Sequence, residues 1–284
     1  MTNSAPTYFE AQKWASFCLK TAGLPTDSAR FLMLGLTHLN QTQLLIRYRD
    51  AMPSDVYQTY RAAVDRVVAG EPAQYVLGWA PFYGLELTVN PAVLIPRVET
   101  EELVDWILTD YADARTLNLL DVGTGSGAIA LALKHEQATW QVCASDISAA
   151  ALAVAEANAA RLGLKVSFYE SNLLQTVPQT AFDVIVSNPP YIAHDEEAVM
   201  DASVLNYEPQ QALFADHQGL AIYEQLATTV ATHLTESGRL YLEFGYHQGA
   251  AIQELFQHAM PKATVTIRQD MAGHDRMLRV INHK

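Results

Sequence analysis

The sequence predicts an α/β fold, a mainly parallel sheet with helices on both faces and its last strand antiparallel, preceded by a small all-helical domain. Three observations carry this. From residue 117 onward, short apolar runs alternate with stretches of helical periodicity, the strand, helix, strand pattern that builds a parallel sheet. The last two runs, ATVTIR and RMLRVI, are separated only by QDMAGHD, short of the dozen or so residues that a parallel crossover needs, so they pair antiparallel. Residues 1–74 show helical spacing and no strand pattern.

In the first helix Phe9, Trp14, Phe17, Cys18 and Leu19 recur near helical spacing, and Gly23 offers a left-handed stop. Thr26 or Asp27 caps a second helix carrying Phe31, Leu32, Leu34, Leu36 and Leu39. Met52-Pro53-Ser54-Asp55 reads as a break and a cap before a helix over Val56 to Ala69, which Gly70 and Pro72 end. This domain, residues 1–74, shows no catalytic constellation and suits packing or partner contact. In FYGLELTVN the apolar positions alternate, and with the two prolines of PAVLIPR the segment 75–98 reads as a hairpin linker. Helical spacing resumes over Glu99 to Leu108 and opens a catalytic domain, residues 99–284. Its strands are LNLLDV, QVCASD, KVSFYE, FDVIVSN, RLYLEF and the final pair, with helices over 128–135, 148–162, 219–234 and 248–259.

With 284 residues, half of them hydrophobic, the chain can bury the cores of two domains. No stretch approaches the roughly 18 apolar residues of a membrane span, and MTNSAPTYFEAQKW lacks a basic segment followed by an apolar run. The expected location is the cytoplasm, with no membrane partner. Cys18 and Cys143 stand far apart, which suggests neither a disulfide framework nor a zinc site, and the nine histidines show no metal-ligand spacing. No metal is expected. The net charge of -13 is unevenly placed: residues 1–75 hold seven Lys and Arg against six Asp and Glu, leaving eleven against twenty-five for the rest. An acidic catalytic part lacks the basic footprint of a nucleic-acid binder, so no direct nucleic-acid contact is expected. Arg47, Arg49, Arg61 and Arg66 read as solvated helix faces.

The segment LLDVGTGSGAIALAL places Gly123, Gly125 and Gly127 between a strand and a helix, where glycine lets the backbone approach a ligand closely. Asp146 closes the next strand, 21 residues after Gly125, and a carboxylate there either accepts hydrogen bonds from ribose hydroxyls or caps the helix that follows. Gly123-x-Gly125-x-x-Ala128 also fits a dinucleotide fingerprint, which keeps a dehydrogenase in view. Asp121 weighs against it, since an acid beside the glycines repels a pyrophosphate but suits the ammonium end of S-adenosylmethionine, directly or through water. Capping of nearby backbone amides is the alternative role for Asp121.

In FDVIVSNPPYI an apolar strand ends in Asn188, Pro189, Pro190 and Tyr191. Two prolines stop the strand and leave a rigid turn with exposed acceptors. The side-chain oxygen of Asn188 and the carbonyl of Pro189 can each take one N–H of a substrate NH2 group, while Tyr191 can stack on its plane. Two acceptors answer the chemical difficulty of an amide nitrogen, whose lone pair is delocalised into its carbonyl. They favour a pyramidal nitrogen, aim its lone pair and stabilise the positive charge that develops there. In an open parallel sheet the first and fourth strands lie side by side where strand order reverses, so the glycine turn and this motif should face one crevice.

With these residues in view, the chain resembles the release factor glutamine methyltransferases, the PrmC or HemK family. The likeness extends to GEPAQYVLG at 70–78, LIPRVETEELV at 94–104, DVGTGSGAIAL at 121–131, YEPQQALFAD at 207–216 and LEFGYHQG at 242–249. It covers roughly residues 65–284, and the N-terminal helices are similar only in general character. The resemblance implies a Rossmann-like methyltransferase sheet with S-adenosylmethionine as cofactor. It also implies methyl transfer to the side-chain amide of the glutamine in the Gly-Gly-Gln motif of peptide chain release factors, gripped in part by the helical domain. Carried over by position, Asn188, Pro189, Pro190 and Tyr191 form the catalytic set. The cofactor set is Asp121, Gly123, Thr124, Gly125, Ser126, Gly127, Asp146, Asn172 and Leu173, together with Asn188. Where the family commonly has an acid for the adenine, this chain has Asn172, which can still accept through its oxygen.

Glu208-Pro209 either shapes the substrate channel or is structural, and His194 to Glu197 is a solvated loop or part of a lid. An adenine or cytosine amino-methyltransferase of DNA or RNA would use the same planar geometry, but base flipping needs an electropositive channel. Modification of a ribosomal-protein glutamine is a nearer alternative. A non-catalytic adaptor is disfavoured by the intact Asn-Pro-Pro-Tyr motif.

Overall fold

A computed structural model describes residues 5–178 and 181–283. The chain divides into two compact units, one running to Trp79 and taking in Asp201–Tyr207, the other formed by Ala80–Met200 and the chain from Glu208 onward.

The first unit is helical. It contains α1 (Tyr8–Thr21), α2 (Asp27–Thr37), α3 (Gln41–Ile46), α4 (Ser54–Val68) and α5 (Ala73–Leu77), with the returning helix Ala202–Tyr207. Thr7 and Glu10 form a reciprocal capping box at the start of α1, and Asn40 and Gln43 form another at α3. At the other end of α1, Gly23 takes φ +74 and Leu24 N–H donates to Leu19 O at 2.9 Å, which satisfies a terminal carbonyl. Leu19, Leu32, Met33, Leu44, Tyr60 and Val64 make the core, and the buried Tyr60 hydroxyl donates to Ala29 O. The short helices α3 and α5 escape the periodicity. Pro72 ends one helix yet starts the next, because its fixed φ suits a helix N-terminus, and Gly78 closes α5 at φ +76. Of the basic residues, Arg61 lies over the Trp14 and Tyr57 rings and Arg66 pairs with Glu71, so neither is a bare solvated charge.

The second unit opens with a hairpin, β1 (Trp79–Phe82) and β2 (Leu85–Thr88), turned by Tyr83 and Gly84 at φ +47 and +76, the two left-handed positions of a type I′ turn. Then come α6 (Val98–Asp110), β3 (Asn118–Val122), α7 (Ala128–Glu136), β4 (Gln141–Asp146), α8 (Ala149–Leu162), β5 (Ser167–Glu170) and β6 (Phe182–Ser187). The chain passes a 3-10 turn at His194–Val199, the helix Ala202–Tyr207 (α9) and a short turn, α10 (Asp216–Gly219). It finishes with α11 (Ala221–His233), β7 (Leu234–Glu243), α12 (Gly249–Ala259), β8 (Thr264–Gln269) and β9 (Asp275–Ile281).

Among the described residues the main sheet has seven strands in the order β5-β4-β3-β6-β7-β9-β8. β3 pairs in parallel with both β4 and β6, so strand order reverses at β3. The α12 crossover carries β8 two places beyond β7, and β9 returns antiparallel to fill the place between them. The predicted antiparallel pairing of the last two runs is therefore present, and β9 additionally pairs with β7. Alternation along the strands feeds two cores. Leu119, Val184, Val186 and Tyr241 face α6 and α7, whereas Leu120, Ile185, Leu240 and Leu242 face α11 and α12.

One buried side chain ties the hairpin to the loop after β3. Asn158 of α8, fully buried, accepts from Thr88 N at 2.7 Å and donates to Thr88 O and Ser126 O, both at 3.0 Å. Replacing it by alanine would leave several partly or fully buried groups unpaired. Asn158→Ala should therefore lower unfolding stability by about 3 kcal/mol in denaturant titration. A loss below about 1 kcal/mol would show that water replaces these bonds.

Candidate active site

The carboxyl ends of β3, β4, β5 and β6 border one cavity of about 310 Å³. Its walls are the glycine turn, the end of β4, the residues after β5 and the Asn-Pro-Pro segment, faced by Pro96, Arg97 and Thr100. This is the switch-point crevice where open α/β sheets bind ligands. Among the sequence-derived candidates, Gly123, Thr124, Gly125, Ser126, Asp146, Asn172, Leu173, Asn188, Pro189 and Pro190 line it. Asp121, Gly127 and Tyr191 do not.

The glycine turn is built on backbone geometry that side chains resist. Gly123 and Gly125 take φ +73 and +57, and the N–H groups of Gly123 and Thr124 both donate to Ser145 O of β4. The Asp146 carboxylate accepts from Gly125 N through one oxygen and from Ser148 N through the other, each at 2.9 Å. Both readings of Asp146 thus meet in one side chain: it caps α8 and it lines the cavity. Burial raises its pKa against the hydrogen bonds that favour its charge. Gly127 sits instead at the start of α7 with φ +84, where a Cβ would come within 2.9 Å of the Leu131 side chain and 3.3 Å of Ala155. Its role is helix packing, which removes it from the ligand-contact set.

Asp121 is also displaced from its expected place. The strand pleat turns it inward, only 1% exposed, and its Oδ2 accepts from Thr124 Oγ1 at 2.6 Å and Ala130 N at 3.2 Å. The capping role is therefore the one realised, while Oδ1 is buried with no hydrogen-bond partner among the described residues. Burial pushes its pKa up to about 7.

Beyond β6, Ser187 Oγ donates to Val122 O at 2.6 Å and ties the motif strand to β3. Asn188 is half-buried, Pro189 buried, and Pro190 half-buried in the cavity wall. Tyr191 is turned away by the second proline. Its ring packs into the core on the α11 and α12 side, close to Gly245, and burial lifts its pKa to about 12, so the expected stacking surface is not presented to the cavity. The turn is held from behind by Gln248, whose Nε2 donates to Tyr191 O and Gln218 O while its Oε1 accepts from Gly245 N. Gly219, at φ +79, permits this approach: a Cβ there would meet Tyr191 O at 2.0 Å.

The sequence leaves Glu208 and the 194–197 segment between two roles each, and gives no individual role to Arg97, Thr100 or Glu243, which lie in segments that carry the family likeness. Glu208, its side chain 1% exposed, accepts from Ile95 N at 3.1 Å and binds Arg97 Nη2 at 2.6 Å, so it holds two wall segments together. Thr100 Oγ1 donates to Glu243 Oε2 at 2.7 Å and accepts from Asn188 Nδ2 at 3.0 Å. The 194–197 segment forms an exposed 3-10 turn in which His194 stacks on Phe214, a cavity-lining ring. Among the described residues no cluster of His, Cys, Asp and Glu could hold a metal ion, and no helix is long and apolar enough to cross a membrane.

The buried Asp121 has a consequence for stability. A carboxyl with a raised folded pKa is protonated when folded but ionised when unfolded between about pH 4 and pH 7, so its contribution declines as pH rises through that window and is level above it. Asp121→Asn should flatten the fall in chemical stability between pH 4 and pH 7, leaving the part due to Glu243, whose pKa shifts the same way. An unchanged slope would mean that Asp121 stays ionised in the folded protein.

Comparison with known proteins identifies the family. The methyltransferase small domain family matches residues 103–215, and the PrmC N-terminal domain family matches residues 10–78. The release factor glutamine methyltransferase of Enterococcus faecalis is 43% identical over 273 residues, covering 96% of this chain and 98% of its own. That of Lactococcus lactis subsp. lactis is 45% identical over 250 residues, covering 88% and 92%. Among solved structures, a T. thermophilus 16S rRNA N2 G1207 methyltransferase in complex with AdoMet and guanosine has a TM-score of 0.52 at 18% identity, covering 72% of this chain and 50% of its own, a likeness of fold alone. At this identity and coverage to the curated relatives, the chain belongs to the release factor glutamine methyltransferase family.

Proposed function

We propose that the cavity binds S-adenosylmethionine along the glycine turn and presents to it, at Asn188 and Pro189, the side-chain amide of the glutamine in the Gly-Gly-Gln motif of peptide chain release factors. Family membership supports the substrate. The observation that carries the chemistry is the half-buried Asn188 on the cavity wall, with its Nδ2 already committed to Thr100.

The residues present suit the cofactor. Asp146 brings a half-buried carboxylate to the wall, where a ribose would find a charge-assisted acceptor, and Ile147, Ala151 and Leu173 provide apolar surface beside it. Behind the turn, Asp121 Oδ1 is unpartnered but buried off the cavity wall, so it could serve a ligand only through a bridging water. Arg97 is the only cation among the described lining residues, and Glu208 neutralises it, so a pyrophosphate would find little to hold it. When bound, S-adenosylmethionine supplies a methyl group activated by its sulfonium.

What the chain contributes is alignment and charge. Asn188 Oδ1 and the Pro189 carbonyl each accept one N–H of the glutamine amide, which opposes its resonance and directs its lone pair. The same two acceptors stabilise positive charge as it appears on nitrogen. No side-chain base is required, since the alkylated nitrogen becomes acidic and releases its proton afterwards. The helical unit, matched by the PrmC N-terminal domain family, is assigned to holding the release factor.

The test is single-turnover methyl transfer with saturating labelled cofactor, using intact release factor, a Gly-Gly-Gln peptide and a Gln→Glu factor as blank. Asn188→Ala should slow transfer by about a hundredfold to a thousandfold at nearly unchanged cofactor affinity, and Asn188→Asp should be less damaging because an acceptor remains. Equal rates for wild type and Asn188→Ala would reduce the motif to a turn, and a peptide as good as the intact factor would remove the helical unit from recognition. By calorimetry, Asp146→Ala should weaken cofactor binding by about 2 kcal/mol, roughly thirtyfold. Unchanged affinity would take Asp146 out of the site.

A further inference from the structure

We propose that Thr100 and Glu243 form a relay that sets which end of the Asn188 carboxamide faces the substrate, making both of them positioning residues. The inference rests on the reading of Asn188 as an acceptor for a substrate NH2 group.

A carboxamide has two nearly isosteric ends, and only one of them works. With Oδ1 toward the cavity, Asn188 accepts an N–H; rotated by half a turn about its last bond, it would set its own NH2 against the substrate NH2, donor against donor. The side chain by itself does not choose. The choice is made by the polarity of what lies behind it. An ionised carboxylate only accepts, so the single hydrogen of the Thr100 hydroxyl is drawn to Glu243 Oε2, 2.7 Å away. Thr100 Oγ1 is left with lone pairs alone, and the group it meets at 3.0 Å must be a donor, the Nδ2 of Asn188, whose side chain also hydrogen-bonds the Glu243 carboxylate, an acceptor as well. Oδ1 is thereby left for the cavity. This direction follows from valence.

Sheet register brings the three residues together. β6 and β7 are parallel with Ser187 opposite Leu242, so the residues that follow, Asn188 and Glu243, lie side by side. Alternation turns Glu243 to the same face as Tyr241, toward α6, where Thr100 sits in the first turn. Thr100 and Glu243 are 4% and 2% exposed. A carboxylate so deeply buried is costly; Glu243 makes no direct ion pair among the described residues, and the charge of Arg276, itself bound to Asp270, supports it only at a distance. Packing alone would be served by an apolar residue, so a buried acid at this place points to a polar task.

The relay also predicts a pH response. The groups facing Glu243 are Thr100 and Glu99 of α6, Asn188 and Tyr191 after β6, Tyr223 of α11 and Arg276 of β9. Burial, the largest influence, lifts the Glu243 carboxyl to about 7. Once protonated it can donate to Thr100, the hydroxyl can turn its hydrogen toward Asn188, and the fixed direction is lost. Methyl transfer should then fall as pH drops through about 7.

The test compares wild type with Thr100→Val, which keeps the shape and removes the hydroxyl, Thr100→Ser, which keeps the hydroxyl, and Glu243→Gln, which can donate in place of accepting. Under single turnover on release factor, Thr100→Val should slow transfer by about ten- to a hundredfold at unchanged cofactor affinity, and Thr100→Ser should restore most of the rate. Glu243→Gln should be slow and should lose the wild-type dependence on pH near 7. Independently of activity, the side-chain NH2 resonances of Asn188, identified by their absence in Asn188→Asp, should titrate near pH 7 in wild type and should be shifted, with an altered titration, in Thr100→Val. Wild-type rates in Thr100→Val, equal damage from serine and valine, or Asn188 resonances indifferent to both pH and Thr100 would overturn the relay. An inactive wild type would overturn the assignment of substrate, and the resonances would still decide the relay.

Discussion

The parallel pairing of β3 with β6 is the contact on which the site depends. Leu119 to Val122 lie opposite Val184 to Ser187, and the next residues on each strand are Gly123 and Asn188. The glycine turn and the Asn-Pro-Pro turn therefore emerge at one edge, a strand spacing apart, although they are far apart in sequence. Ser187 reinforces the pair by donating across it to Val122 O. With β4 on the other side of β3, Ser145 O anchors two N–H groups of the glycine turn, and Asp146 holds a third. The shape of the cavity floor is thus written in sheet hydrogen bonds, which are among the least deformable features of a fold.

Around that floor the protein concentrates buried and half-buried acids. Asp121, Asp146 and Glu243 all carry raised pKa values because burial disfavours their charge. Each has a different exit from the cost. Asp146 divides its oxygens between two backbone donors, Asp121 gives one oxygen to Thr124 and Ala130, and Glu243 rests on Thr100. The fourth buried acid, Glu208, is the one with a cation, and its ion pair with Arg97 leaves the wall close to neutral. The resulting field suits a ligand bearing positive charge far better than an anionic one.

The acceptor turn is rigid for reasons that lie behind it. Two prolines restrict the backbone, Gln248 fastens Tyr191 O, and Gly219 lets that neighbour approach where any side chain would collide. In the proposed reaction, acceptors held in this way would need no reorganisation as charge develops, which is the condition under which a few hydrogen bonds affect a rate strongly. Tyr191, read as a stacking ring from the motif alone, instead helps to bury the support.

Local regularities in the sequence determine much of this protein. Apolar runs such as LNLLDV and FDVIVSN give the strands, the spacing of Gly123, Gly125 and Gly127 gives the turn, and the short QDMAGHD link gives the antiparallel end. Each depends on neighbours a few residues apart, where period and turn chemistry suffice. Tertiary structure alone decided which polar atoms meet. Thr100 and Glu243 are 143 residues apart and Arg97 and Glu208 are 111 apart, so no window of sequence joins them. Whether Asp121 faced the ligand or the helix, and whether Tyr191 faced the cavity or the core, depended on the direction of a pleat and the path of a turn. Those are settled by packing across the sheet, where the cost of burying an unpaired polar atom selects one arrangement.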